Sequence, residues 1–265
     1  MSRLAAAFDR IRDERRAGLV TYTTAGDPDL RRSGDVLQAL DRAGADVLEV
    51  GVPFSDPLAD GPVIQRATER ALAAGTNLRG VLDLIRSLRP RIKAPIVLFS
   101  YANPILRLGL DEFTSRAADA GIDGVLALDL PIEEAGDLRA AVNRAGIDVI
   151  FLLSPTTTEQ RMRRAAELGS GFLYGISRLG VTGARDRVAS GAEAMVRRMR
   201  AHSRLPIALG FGISSAAHVA EVAAYADAAV VGSALVSVVA EHGRSPDLVA
   251  RVEAYVRSLR NYAHA

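Results

Sequence analysis

Ala43-Gly44-Ala45-Asp46-Val47-Leu48-Glu49-Val50-Gly51-Val52-Pro53-Phe54-Ser55-Asp56-Pro57-Leu58-Ala59-Asp60-Gly61-Pro62 holds a helix end, a strand and a loop. Gly44 ends the preceding helix in a left-handed cap, and the chain turns straight into an apolar strand over residues 46–51. The pleat puts Val47, Glu49 and Gly51 on one face and Leu48 and Val50 on the other. So apolar a strand reads as buried on both faces, as parallel strands usually are. Glu49 therefore points into an interior close to the strand's carboxyl end, where a carboxylate rarely stands without a task. Beyond it, Pro53, Pro57 and Pro62 stiffen a loop that bears Asp56 and Asp60.

The same joint recurs along the chain. Ala120-Gly121-Ile122-Asp123 and Ala145-Gly146-Ile147-Asp148 repeat the form A-G-x-D before a strand, and Tyr225-Ala226-Asp227-Ala228 is a weaker copy. Strands are expected at 19–24, 46–51, 95–100, 124–129, 148–153, 172–177, 206–210 and 228–232, with helical patterns between them. An amphipathic helix over 2–16, with Leu4, Phe8 and Ile11 on one face, precedes them. A short helix over 233–241 follows the eighth strand. Eight β-then-α units in 265 residues with no linker predict one domain over 1–265. That domain is an α/β fold, a (β/α)8 TIM barrel with an extra N-terminal helix and a short extra helix after strand eight. A doubly wound sheet would usually need fewer units.

Composition narrows the chemistry. Hydrophobic residues make up 49% and charged residues 24%, the proportions of a soluble globular protein. The absence of cysteine excludes a disulfide framework, a thiolate metal site and a cysteine nucleophile. The opening MSRLAAAFDRIRDERR is too charged for a signal peptide and no apolar run could span a bilayer, so a cytoplasmic location is expected. The pI near 9.2 accompanies a net charge of only +2, with arginines interleaved among acids, which favours solvated helix faces over a nucleic-acid patch. Lys93, the single lysine, precedes strand three and stands at the wrong end for a Schiff base. His202, His218, His242 and His264 are scattered, so no metal site is expected, and no P-loop or dinucleotide fingerprint calls for a cofactor. Carboxylate acid–base chemistry on a phosphorylated substrate remains.

In such a barrel the active site lies at the carboxyl ends of the strands, where Glu49, Asp60, Tyr101, Asp129, Tyr174 and Thr182 fall. Glu49 alone could also be one half of a buried ion pair with an arginine, and Asp60 a loop cap. Strand seven ends Gly210-Phe211-Gly212-Ile213-Ser214, and strand eight runs through Val231-Gly232-Ser233 into the extra helix. Glycines and a helix N-terminus at these two ends favour phosphate over mere tight turns, and the loop around Gly183 could close over the same anion. Tyr22, Ile64, Phe99, Tyr101, Tyr174 and Phe211 are either plain core or, near the mouth, walls for a flat aromatic substrate.

Residues 48–62, LEVGVPFSDPLADGP, with Val63-Ile64-Gln65-Arg66-Ala67 after them, resemble the signature of the tryptophan synthase α chain family. Gly26-Asp27-Pro28, Tyr101-Ala102-Asn103-Pro104, Ser177-Arg178-x-Gly180-Val181-Thr182-Gly183, Gly210-Phe211-Gly212-Ile213-Ser214-Ser215 and Gly232-Ser233 extend the likeness over nearly the whole chain. The resemblance implies a (β/α)8 barrel and retro-aldol cleavage of indole-3-glycerol phosphate to indole and glyceraldehyde 3-phosphate. It makes Glu49 the general acid–base and Asp60 the carboxylate that stabilises positive charge at the indole N–H. Tyr174 and Thr182 match active-site and loop-closure positions, and Gly183, Phe211, Gly212, Gly232 and Ser233 the phosphate set. Leu179 stands where a small or polar residue is frequent, and Tyr22 where phenylalanine is common. The family's partner is a β chain whose pyridoxal phosphate site receives the indole, in an α2β2 assembly. The Pro53-to-Asp60 loop, with Pro53 and Asp56 in it, Asn103 and Pro131 lie where the resemblance places that contact. A free-standing lyase and a catalytically inactive activator of the β chain are the alternatives. Burial is expected to raise the pKa of Glu49, while Asp60, on a wetter loop, stays ionised.

Overall fold

A computed structural model of the chain describes residues 2–176, 191–210 and 212–260. The first half runs α1 (Arg3–Asp13), β1 (Gly18–Thr24), α2 (Leu30–Arg42), β2 (Val47–Gly51), α3 (Pro62–Ala73), α4 (Leu78–Leu88), β3 (Ile96–Ser100), α5 (Ala102–Leu108), α6 (Leu110–Ala120) and β4 (Gly124–Ala127). The second runs α7 (Gly136–Arg144), β5 (Asp148–Val149), β6 (Phe151–Leu153), α8 (Glu159–Leu168), β7 (Leu173–Ile176), α9 (Ala192–Arg200), β8 (Ile207–Gly210), α10 (Ala216–Ala223), β9 (Ala228–Val231), α11 (Ser233–His242) and α12 (Leu248–Arg260).

The strands pair in the order β5-β4-β3-β2-β1-β9-β8-β7-β6, and the described pairings are parallel. Only Ile150 separates β5 from β6. The first pairs with β4 and the second with β7, and the Ile150 N–H donates to the Val125 carbonyl at 2.9 Å. One interrupted strand thus touches both edges of the sheet and closes it, giving the expected eight-stranded barrel.

Alternation along each strand sorts the core. Val20, Val47, Val97, Leu126 and Phe172 face the barrel interior. Leu19, Leu48, Val50, Leu98 and Leu173 join the larger shell under the helices. The interior floor is closed by α1, whose Leu4, Phe8 and Ile11 recur at helical spacing and pack into that interior cluster. The Phe8 and Phe172 rings lie 5.4 Å apart. Room for α1 comes from strand starts without side chains: a Cβ on Gly18 would lie 2.6 Å from Ile11 Cδ1, and one on Gly124 2.9 Å from Leu4 Cδ1.

The repeated A-G-x-D joint has two working parts. Gly44, Gly121 and Gly146 take left-handed φ values of 94°, 72° and 73°. The following amides reach back to Leu40, Ala117 and Val142 at 3.0, 3.0 and 3.1 Å, closing each helix. The aspartate then pins the neighbouring strand. Asp46 accepts the Leu19 N–H at 2.9 Å and donates its own to the Leu19 carbonyl at 2.8 Å. Asp123 does the same with Ile96 and Asp227 with Ile207. Asp46 is buried and also takes a forked pair of bonds from Arg16, at 2.7 and 2.6 Å.

Two segments depart from the sequence reading. Tyr101-Ala102-Asn103-Pro104, to which the sequence reading assigns no element, leads into a helix, α5; Pro104 falls in its first turn, where a missing N–H costs no helix bond. The fourth strand leaves the ladder after Ala127, so Asp129 lies beyond it.

The paired aspartate at the β2 joint makes a stability prediction. Asp46→Ala leaves the half-buried Arg16 without its main partner and the Leu19 N–H without an acceptor, and should destabilise the chain by about 3–5 kcal/mol. Urea unfolding measures it, and a loss under about 1 kcal/mol would show the joint to be incidental.

Candidate active site

Glu49 is the middle residue of β2, in register with Tyr22 on β1 and Val97 on β3. Its solvent exposure is 0%, and among the described residues neither carboxylate oxygen has a hydrogen-bond partner. No arginine approaches it there, so the ion-pair reading fails. Burial with no compensating charge raises its pKa to about 8, which leaves the carboxyl largely protonated at neutral pH.

Two tyrosines share this interior. Tyr22 lies across the end of β2, and a Cβ on Gly51 would sit 2.2 Å from its hydroxyl oxygen. Glycine is needed at 51 for this crossing and not for a turn. The Tyr22 hydroxyl is 3.4 Å from Thr24 Oγ1, and its ring meets Phe99 edge-on at 5.3 Å. Tyr174 similarly covers Gly210, where a Cβ would be 2.8 Å from the hydroxyl oxygen. Both phenols are pushed well above their ordinary pKa, chiefly by burial; the Asp60 charge adds to it at Tyr22, and Glu49 adds to it at both in the alkaline range where it is itself ionised.

Asp60 is brought in by the loop. Its amide donates to the Pro57 carbonyl at 3.0 Å, its carbonyl accepts from Gln65 Nε2 at 2.8 Å, and α3 begins two residues later. Arg70 of α3 clasps the buried Asp27 through two bonds of 2.7 and 2.8 Å, tying that helix to the end of β1. The Tyr101 hydroxyl donates to Asp60 Oδ2 at 3.2 Å while accepting the Ala59 N–H at 3.1 Å. The Phe54 ring packs 5.2 Å from that of Tyr101. Asp60 is consequently only 5% exposed, and the expectation of a wetter loop is corrected. Burial raises its pKa to about 6, and the Tyr101 bond pulls the other way. The two carboxyls still separate: near pH 7, Glu49 holds its proton and Asp60 has released it.

Ile64 joins Tyr22, Phe99, Ala67 and Val236 in a small apolar cluster distinct from the barrel floor. At the ends of the neighbouring strands β8 and β9, Gly212 has φ +83° and Gly232 precedes Ser233 at the start of α11, whose first turn has no side-chain cap. The N–H groups of that turn are available to an anion. A Cβ on Gly232 would make only ordinary contacts with Tyr22, the nearest at 3.6 Å. Asp129 is exposed, and its Oδ1 accepts the Ala102 N–H at 2.7 Å, capping α5. Thr182, Gly183 and Phe211, with Leu179, lie outside the described residues. Of the expected partner positions, Asp56, Asn103 and Pro131 are exposed, whereas Pro53 is buried within the chain. Leu58 lies within the expected Pro53-to-Asp60 loop and is 88% exposed. Leu106 on α5, which the sequence does not single out, is 59% exposed.

The raised pKa of Glu49 has a stability consequence. Below the unfolded pKa of 4.5 the carboxyl is neutral in both states, and the contribution of its burial is fully present. It is lost as pH rises from there through about 8, because the unfolded chain ionises first. Asp60 acts in the same direction up to about pH 6. Glu49→Gln should therefore be more stable than the parent at pH 9 by roughly 3–5 kcal/mol, with a much smaller difference at pH 4. Equal urea midpoints at pH 9 would contradict the assignment.

The family model for the tryptophan synthase alpha chain matches residues 8–264. The tryptophan synthase alpha chain of Geotalea uraniireducens is 48% identical over 260 residues, covering 98% of this chain and 97% of its own length. That of Geobacter sulfurreducens is 48% identical, with 98% of each chain covered. Among solved structures, Mycobacterium tuberculosis tryptophan synthase superposes with a TM-score of 0.90 at 39% identity, over 97% of this chain and 96% of that one. The Legionella pneumophila tryptophan synthase alpha chain gives 0.90 at 35% identity, over 99% and 97%. A chain with this barrel, so similar to these proteins over nearly all its length, belongs to the tryptophan synthase alpha chain family of lyases that cleave indole-3-glycerol phosphate.

Proposed function

We propose that Glu49 is the general acid–base and Asp60 the electrostatic partner in cleavage of indole-3-glycerol phosphate to indole and glyceraldehyde 3-phosphate. The observation that carries this reading is the fully buried Glu49 carboxyl, unpartnered among the described residues and protonated at neutral pH. The neutral indole ring is a poor leaving carbanion, so C3 must be protonated before its bond to the side chain breaks. Glu49 gives that proton, and positive charge spreads to the indole N–H. Asp60, ionised and held by Tyr101, accepts a hydrogen bond from that N–H. Removal of the side-chain hydroxyl proton, with the Glu49 carboxylate as base, forms the aldehyde. The electrons of the breaking bond restore the neutral indole, and Glu49 ends with its proton back.

The other residues take binding roles. Tyr22, Ile64, Phe99 and Tyr174 wall the flat ring, with Tyr101 and Asp129 at the rim. The phosphate rests on Gly212, Gly232 and Ser233 at the start of α11, with Gly183, Phe211 and the Thr182 loop completing the set. A β chain is the partner, in an α2β2 assembly in the cytoplasm. Asp56, Asn103 and Pro131 share their exposure with Leu58 and Leu106, and exposed apolar side chains favour a docking face over a free-standing enzyme. Among the described residues, no helix is long and apolar enough to cross a membrane.

Single-turnover cleavage beside equilibrium substrate binding, each measured alone and with a cognate β chain, tests the whole reading. Glu49→Gln keeps the shape but cannot cycle a proton. It should bind substrate while losing turnover by a factor on the order of 10² or more, with or without β chain. Cleavage within a few-fold of the parent would make Glu49 structural. A parent chain inert in both settings would support the inactive-activator alternative, and one indifferent to β chain the free-standing lyase.

A further inference from the structure

At the end of the barrel opposite Glu49, a cavity of about 640 Å³ is lined by Arg12, Arg15, Arg16, Arg200, Arg204 and Asp227, over an apolar base that includes Phe8 and Ile11. Three arginines come from the last turn of α1 and the residues after it. Arg200 ends α9, Arg204 lies just before β8, and Asp227 directly precedes β9. The single carboxylate of the lining is already engaged, by Arg200 at 2.5 Å and the Ile207 N–H at 2.6 Å. Arg16 is held by Asp46 and Glu14, and Arg12 by Asp9 at 2.6 Å. Arg15 and Arg204 have no side-chain partner among the described residues, and both are exposed.

Arg15 sits in an unusual place. The Arg15 amide donates to the Arg12 carbonyl and the Arg16 amide to the Ile11 carbonyl, at 3.0 and 3.3 Å. That is the same helix-closing pattern as at Gly44, Gly121 and Gly146, but here a residue with φ +53° is an arginine. The chain accepts a left-handed backbone at a non-glycine residue and, among the described residues, receives no side-chain bond for it.

We propose that this basin binds a small multivalent oxyanion. Guanidinium groups present paired N–H donors that match phosphate or carboxylate oxygens, and two of them here are unclaimed beside three more of the same sign. An anion held between Arg15 and Arg204 would join α1 to the segment entering β8. It would thereby fasten the helix whose Leu4, Phe8 and Ile11 close the barrel floor, remote from the lyase chemistry.

Inorganic pyrophosphate is the probe, titrated calorimetrically into the full chain. Three proteins are compared: the parent, Gly232→Asp, which blocks the phosphate position at the mouth, and the Arg15→Gln/Arg204→Gln double variant. Saturable binding should persist in Gly232→Asp and weaken as salt rises. It should fall at least tenfold at the basin in the double variant, whose cleavage activity stays at the parent level. In the parent, pyrophosphate should also slow hydrogen exchange of the α1 amides, a readout that needs no variant to fold. Basin affinity in the double variant within twofold of the parent, or binding abolished by Gly232→Asp alone, would overturn the proposal. So would unchanged α1 exchange, or a double variant that unfolds at lower temperature with the pyrophosphate response intact, since arginines that only complement helix ends behave that way.

Discussion

An uncharged carboxyl can be enclosed in a protein at far less cost than a charged one, and this difference governs the interior of the barrel. Glu49 stands on β2 among apolar and phenolic groups, with no hydrogen-bond donor reaching it among the described residues. Its proton stays on because the surroundings offer the anion nothing. Each neighbour preserves that condition: Tyr22 crosses bare Gly51, Tyr174 covers Gly210, and α1 stops the far end of the barrel. A water-filled interior would return Glu49 to an ordinary acid. The enclosure that makes the fold costly at high pH is what keeps the proton on Glu49 near neutrality.

The scaffold maintains this enclosure through strand register. Each A-G-x-D joint ends a helix with its glycine and, at Asp46 and Asp123, staples the adjacent strand with its aspartate through a reciprocal pair of bonds. Since side chains alternate with period two, a slip of one residue in β2 would turn Glu49 out under the helices and Leu48 inward. The Asp46 bonds to Leu19, on the strand next to β2, fix that register at the residue just before β2 begins. The placement of Glu49 is therefore settled partly at the end of the barrel where the strands begin.

Sequence made the local events readable and left the crossings between elements hidden. The alternation of strands and helices, the capping glycines and the inward face of β2 all follow from neighbouring residues, and the barrel could be inferred from them. Glu49 was legible because a carboxylate in an apolar strand conflicts with its surroundings. The aspartates of the joints were visible as a repeat, but their partners lie 20 to 27 residues away. Asp60 was misread as wet because its cover, Tyr101, is 41 positions further on. Gly51 could be placed on the inward face of its strand, but what requires glycine there is Tyr22 of the neighbouring strand, which no local pattern shows. The helix α5 went unread because Pro104 suggests a break, whereas in a first turn it is compatible with a start.

The ionisation of Glu49 in the substrate-free chain tests the account most directly. Carboxyl carbon NMR of the chain labelled at glutamate, with Glu49→Gln to assign the resonance, follows this one group through pH 4 to 10. Burial places the midpoint near 8. A midpoint near the ordinary glutamate value of about 4.3 would mean that a charged, solvated or paired Glu49 occupies the barrel, and would contradict this.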